Sequence, residues 1–124
     1  MHEYKTHEEF VAHITSKYGD MFHQSLDSFD IGPGWYPIVE ALCSNIAWHL
    51  KNLKDDVRPD FKVVQVKEKF TCLEIYVDNA DATIGGMIRM AESWADRSCE
   101  VCGNRGIRST TWLRVLCDEH AKKA

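Results

Sequence analysis

Long apolar runs are what this chain most plainly lacks. No stretch of its 124 residues approaches the ~18 consecutive apolar positions of a membrane helix, and Met1 to Lys5 are polar, without the apolar segment of a secretory leader. The expectation is a soluble, cytoplasmic protein with no membrane partner. Internal repeats and low-complexity segments are absent too. With 44% hydrophobic and 27% charged residues the composition is globular, which excludes a disordered or collagen-like chain. An even set of cysteines is also missing. Five thiols cannot all pair, so the count favours metal binding over a disulfide framework.

Charge of one sign is scarce in one part of the chain. Residues 1–96 hold nine basic and sixteen acidic side chains, a net charge of −7, whereas residues 97–124 hold six basic and three acidic ones, a net charge of +3. Together they make up the whole-chain charge of −4. An acidic body joined to a basic tail suits either a solvated surface or a nucleic-acid footprint.

Periodicity predicts three helices and a hairpin ahead of that tail. Thr6 with Glu9 three residues on is a capping box, and Phe10, Val11, Ile14 and Tyr18 recur at helical spacing, predicting a helix over His7–Tyr18. Asp20–Trp35 is rich in turn formers and reads as a loop with one short helical turn near Met21–Leu26. Pro37 suits a first helical turn, and Ile38, Leu42, Ile46, Leu50 and Leu53 trace one stripe, predicting a helix over Pro37–Leu53. From Phe61 onward the period shortens and β-branched residues accumulate, predicting strands over Lys62–Lys67 and Thr71–Val77. The connection Lys67–Phe70 has neither Gly nor Asn-Gly, which argues for a bulge or an offset rather than a tight two-residue turn. Asn79 or Asp81 caps a third helix over Ala82–Asp96, inside which Gly85-Gly86 is unfavourable. Cys43 and Cys72 lie on apolar patterns and read as small buried hydrophobes.

The strongest motif is Cys99-x-x-Cys102-Gly103, then Cys117-x-x-His120. Two ligand pairs at this spacing complete one tetrahedron, and three thiolates with a histidine form a standard closed zinc site, so one structural Zn²⁺ per chain is expected. Gly103 suits the tight knuckle that follows the second cysteine. Ile107–Ser109 and Trp112–Leu116 form a short hairpin in this reading, and Cys117–Lys123 starts a helix. The order of knuckle, hairpin and helix resembles a treble-clef zinc finger. The expected architecture is thus α+β: three helices and an antiparallel β-hairpin with a C-terminal treble-clef-like zinc finger. One domain spans residues 1–124, divided into a helix-and-hairpin body (1–96) and a zinc-binding part (97–124).

The segments Val66–Asp78, Ile88–Glu92, Cys99–Gly103 and Leu116–Ala121, with Gly34-Trp35-Tyr36-Pro37 ahead of them, resemble a group of small proteins found in phages and prophage regions. Their typical strand motif reads Lys-Glu-Lys-Phe-Gly-x-Leu-Arg-Phe-Tyr. The resemblance covers roughly residues 35–121. Here Thr71 replaces the usual glycine and Glu74 the usual arginine. The resemblance implies a phage-linked setting and supplies no activity.

Three classes of function remain to be weighed. Pro59-Asp60 with Gln65-Val66-Lys67 faintly matches a metal-dependent nuclease pattern, but four residues between Asp60 and Gln65 leave no room for the usual chain excursion. A nuclease of the His-Asn-His type needs a histidine free of the metal beside the finger, and His120 is the only histidine after His49. His2, His7, His13, His23 and His49 read as surface or partly buried positions. Nucleic-acid binding would use Arg105, Arg108 and Arg114 on phosphates and Trp112 on a base, unless Trp112 packs over the metal site. Protein binding is favoured. Trp35 and Tyr36 serve as interface anchors if exposed, or as a staple into the second helix if not. The partner is then a host or phage protein, one concrete case being inhibition of a nucleic-acid-guided host defence complex of the CRISPR-Cas kind.

Overall fold

The computed structural model describes residues 4–24, 26, 28–109, 111 and 113–123. Four α-helices are present among them: α1 (His7–Lys17), α2 (Tyr36–Lys51), α3 (Ala82–Ala95) and α4 (Asp118–Lys122). Strands β1 (Ser28–Asp30), β2 (Lys62–Lys69) and β3 (Cys72–Asp78) form one sheet in that order, and β4 (Ile107–Ser109) with β5 (Arg114–Leu116) forms a second. The fold is therefore mixed α and β, with one more sheet strand than the sequence reading expected.

Helices α1 and α3 start where a side chain accepts from the free N–H groups of the first turn. Thr6 Oγ1 accepts from Glu9 N at 3.1 Å, and the Glu9 carboxylate in turn accepts from Lys5 N at 3.0 Å, one residue before the usual partner of a capping box. Asp81, not Asn79, caps α3: its carboxylate accepts from Ile84 N at 2.8 Å and pairs with His49 Nε2 at 2.8 Å. These bonds hold the Asp81 carboxyl below the ordinary carboxylate range, the His49 contact contributing most. Helix α2 ends at Lys51 rather than Leu53, because Arg58 folds back to donate to the carbonyls of Leu50 and Leu53, each at 2.7 Å.

The span Asp20–Trp35 is more ordered than its turn-rich composition suggested. A 3₁₀ turn covers Gly19–Met21 instead of the expected helical turn at Met21–Leu26, and β1 then pairs in parallel with β2, Phe29 opposite Val66. A second 3₁₀ turn, Pro33–Trp35, leads directly into α2.

The turn between β2 and β3 also departs from expectation. Lys69 pairs with Cys72, leaving a two-residue loop in which Phe70 (φ 49°) and Thr71 (φ 71°) both lie in the left-handed region, the pattern of a type I′ turn. Neither residue is glycine or asparagine. Glu68 compensates by accepting from Thr71 N at 2.7 Å. The irregularity expected at the turn lies instead within β2, between Val63 and Gln65.

One core joins α1, α2, α3 and the three-stranded sheet. Phe10, Ile14, Ile38, Ile46, Val66, Leu73 and Ile84 are essentially inaccessible, and the Phe10 ring stacks on Tyr36 at 3.8 Å between centroids. Cys43 is buried among them, and burial pushes its thiol up to about 12, the behaviour of an inert core residue. Cys72 differs from the sequence reading: it is only half-buried, because its place at the start of β3 leaves it beside Arg108 at 3.6 Å.

Candidate metal centre

Beyond α3 the chain turns into a knuckle. Gly103 N donates to Cys99 O at 2.8 Å and Cys99 N to Asn104 O at 2.7 Å, with Gly103 at φ +83°. A residue with a side chain is disfavoured in that conformation, which explains glycine after the second cysteine. The strands β4 and β5 return the chain, and α4 begins immediately after Cys117, so Cys117 and His120 face the knuckle one helical turn apart.

This arrangement brings Cys99, Cys102, Cys117 and His120 together, with all four ligand atoms within 4.8 Å of one another. Cys102 Sγ lies 3.7 Å from Cys117 Sγ, and His120 Nδ1 lies 3.5 Å from Cys99 Sγ and 3.2 Å from Cys117 Sγ. A tetrahedral ion with bonds of about 2.3 Å to sulfur and about 2.0 Å to nitrogen sets sulfur pairs about 3.8 Å apart and sulfur–nitrogen pairs about 3.5 Å apart. The four residues therefore fit one tetrahedrally bound metal ion. Burial opposes ionisation of Cys99, but the backbone N–H groups of Cys117, Cys102 and Val101 directed at its sulfur outweigh that and hold the thiol down to about 6. The thiolate that a metal requires is thus favoured by the fold.

Among the described residues, Cys99, Leu116 and Cys117 form the buried apolar centre here, with Val101 and Ala121 against it. The attachment to the body combines backbone contacts with side chains, among them Val115, which packs into the body's core. Gly34 N donates to Glu100 O at 2.8 Å, and a Cβ on Gly34 would stand 1.9 Å from Cys99 O and 2.6 Å from Gly103 N. No other residue fits. Trp35, wholly buried, donates from Nε1 to Ser98 O at 2.9 Å. Glu100, itself buried, accepts from Arg114 Nε and from Val115 N, each at 3.1 Å, tying the knuckle to β5.

Trp35 and Tyr36 are therefore not exposed anchors: both are buried, Trp35 under the knuckle and Tyr36 against Phe10 of α1 rather than as a staple into α2. Of the basic residues, Arg114 is paired with Glu100 and Arg108 with Asp96, while Arg105 is exposed with no side-chain partner among the described residues. Trp112 lies outside the described residues. The residues that sequence reasoning missed are Gly34, whose close approach was hidden in an ordinary turn-like Gly-Pro-Gly, and Glu100, an acid read only as a spacer between cysteines.

The nuclease pattern does not assemble. Gln65 and Lys67 stand on β2, the strand that begins two residues after Asp60, rather than on a second strand returning past it. Lys67 lies over the Tyr76 ring at 5.4 Å and Asp60 lies 3.7 Å from Lys62. Among the histidines expected at surface or partly buried positions, His7 is partly buried and joins Tyr36 Oη at 2.8 Å and the Phe29 carbonyl at 2.5 Å, tying α1 to β1 and α2. No helix among the described residues is long and apolar enough to cross a membrane.

The chain matches no protein-family model, no curated protein and no solved structure.

Proposed function

We propose that this protein is a non-enzymatic, zinc-stabilised binding module that acts by protein–protein contact, its C-terminal part a treble-clef finger holding one structural Zn²⁺. The observation that supports the reading is the Cys₃His cluster: three sulfurs and one nitrogen within 4.8 Å of one another would complete a four-coordinate ion and leave no position for a catalytic water. Zinc, when bound, supplies folding energy to a segment whose own apolar centre is too small to hold it. Trp48, Met90 and Trp94 take over the contact role expected of Trp35 and Tyr36, since all three are exposed. A bacterial or phage protein as partner, and interference with a host defence complex as its consequence, rest on the sequence resemblance alone.

Elemental analysis of the purified chain should return about one zinc per chain, and Cys102→Ser should remove it. Affinity capture from bacterial lysate should recover a stoichiometric protein that Met90→Glu releases. Recovery of nucleic acid alone, lost in moderate salt, would favour nucleic-acid binding through Arg105 and its neighbours. That second reading is weakened by the ion pairs that occupy Arg108 and Arg114.

A further inference from the structure

The five thiols differ in what can reach them. Cys43 is enclosed in the body's core and Cys72 stands half-buried on β3, whereas the other three sulfurs gather in the C-terminal part. Within that set the exposure is divided. Cys99 is wholly inaccessible and Cys117 is 7% exposed, but Cys102 lies open to solvent. A small solute arriving at the cluster therefore meets the Cys102 sulfur first. Cys117 Sγ lies beside it at 3.7 Å, so an accessible thiol has a second one in place to resolve its oxidised form. Cys99 is screened from this chemistry: the chain covers it, and backbone N–H groups of Val101, Cys102 and Cys117 are directed at its sulfur.

The bonds that seat the knuckle do not pass through the ligand side chains. Glu100 N donates to Val115 O at 3.0 Å and Val115 N to the Glu100 carboxylate at 3.1 Å, which keeps Cys117, two residues on, next to the knuckle. Gly34 N and the Trp35 indole tie the knuckle to the body. Helix α4 has less support. None of its five residues is buried, Ala121 rests on the small apolar centre, and its one ligand is His120.

We infer that the Cys₃His cluster is a peroxide-responsive switch, in which Cys102 and Cys117 join in a disulfide, zinc is released and α4 comes free while the knuckle stays seated. The inference rests on reading the cluster as a zinc site and adds its regulation. The Cys102 thiolate sulfur attacks hydrogen peroxide: an S–O bond forms, the O–O bond breaks, and the departing hydroxide takes a proton to become water. The Cys117 thiolate sulfur then attacks the Cys102 sulfur, forming the S–S bond and expelling hydroxide, which also leaves as water. Two thiolates, one peroxide and two protons thus give one disulfide and two waters, and the peroxide gains the two electrons that the sulfurs lose. Cys99 and His120 are then left as ligands, short of the four that a closed zinc site uses. The new bond closes a loop with fourteen residues between its ends, a covalent staple in place of a metal one.

Treatment of the zinc-loaded wild-type chain with hydrogen peroxide tests it, with released zinc read by a chromogenic chelator, disulfides located by peptide mapping and α4 followed by hydrogen exchange. The expected result is release of about one zinc per chain as a Cys102–Cys117 disulfide forms, reversed by a dithiol reductant with added zinc. Exchange should rise in Asp118–Lys122 while the amides of Glu100 and Val115 stay protected. The melting temperature should fall between those of the zinc-loaded chain and the reduced, metal-free chain. Cys72→Ser, which removes the other partly accessible thiol, should release zinc at the wild-type rate. Zinc retained under peroxide that fully oxidises free glutathione, or a bridge that contains Cys99 or Cys72, overturns the inference and leaves the zinc reading intact. A purified chain that holds no zinc before treatment overturns both.

Discussion

Two regions of this chain are held by different forces. In the body, twenty-one residues from Phe10 to Ala95, with Val115 from β5, form one buried apolar core. In the C-terminal part, the buried apolar centre among the described residues is Cys99, Leu116 and Cys117, and two of these three belong to the Cys₃His cluster. The body thus buries a large continuous apolar core, whereas the C-terminal part buries almost none of its own. A metal ion held by Cys99, Cys102, Cys117 and His120 would do for residues 97–122 what burial does for the body. The two are not independent, because Gly34 and Trp35 place body backbone and a body indole directly on the knuckle.

Breaking the metal side of this comparison should have the largest effect. Cys99→Ser or Cys117→Ser should abolish zinc binding and lower the melting temperature by more than any single core truncation, as measured by elemental analysis with calorimetry. The apparent binding energy of structural zinc, about 10–16 kcal/mol in small zinc domains, sets the scale. The junction comes next. Gly34→Ala forces a methyl into backbone atoms of the knuckle and should cost about 3 kcal/mol in urea denaturation while weakening zinc binding in a chelator competition. An effect on stability without one on zinc affinity would separate the two regions.

Glu100→Ala probes the metal-binding part without touching a ligand. It leaves Val115 N without its carboxylate acceptor and removes the Arg114 pair, with an expected loss of about 2 kcal/mol by the same denaturation assay. On the body side, Phe70→Asn should stabilise by about 0.5–1 kcal/mol, because asparagine tolerates the left-handed backbone of the first turn position and the exposed Phe70 ring loses no burial.

The smallest effect concerns acid. The folded-state pKa of Asp81 lies below its unfolded value, so the bonds to His49 and Ile84 contribute stability that is present above about pH 4 and is lost as pH falls through the folded value. Asp81→Asn, which still caps α3, should flatten that part of the acid dependence in urea melts below about pH 4. An unchanged slope would remove the His49 pair from the account.

The metal site was legible because its information is local. Two cysteines and a glycine in five residues, then a cysteine and a histidine in four, specify a knuckle and a helical turn without reference to the rest of the chain. The three main helices were legible for the same reason, through caps and 3.6-residue periodicity. What depended on distant partners was not. Strand β1 has three residues, and its pairing with β2 spans 37 positions between Phe29 and Val66, which no local pattern in Asp20–Trp35 announces. The exposure of an aromatic ring is equally non-local: Trp35 is buried because Ser98 and the knuckle cover it, whereas Trp94, at a regular helical position, is left half-exposed. At Phe70-Thr71 local preference pointed away from a tight turn, and the cross-strand pairing of Lys69 with Cys72 overrode it.

The most direct test follows thermal unfolding of the zinc-loaded chain and of the same chain stripped by a chelator, with zinc content measured on both. About one zinc per chain is expected, and removal of that zinc should lower the melting temperature of the whole protein, body included, because the knuckle is seated on Gly34 and Trp35. A chain that carries no zinc, or that melts at the same temperature with and without it, would contradict the claim that a metal holds this part of the fold.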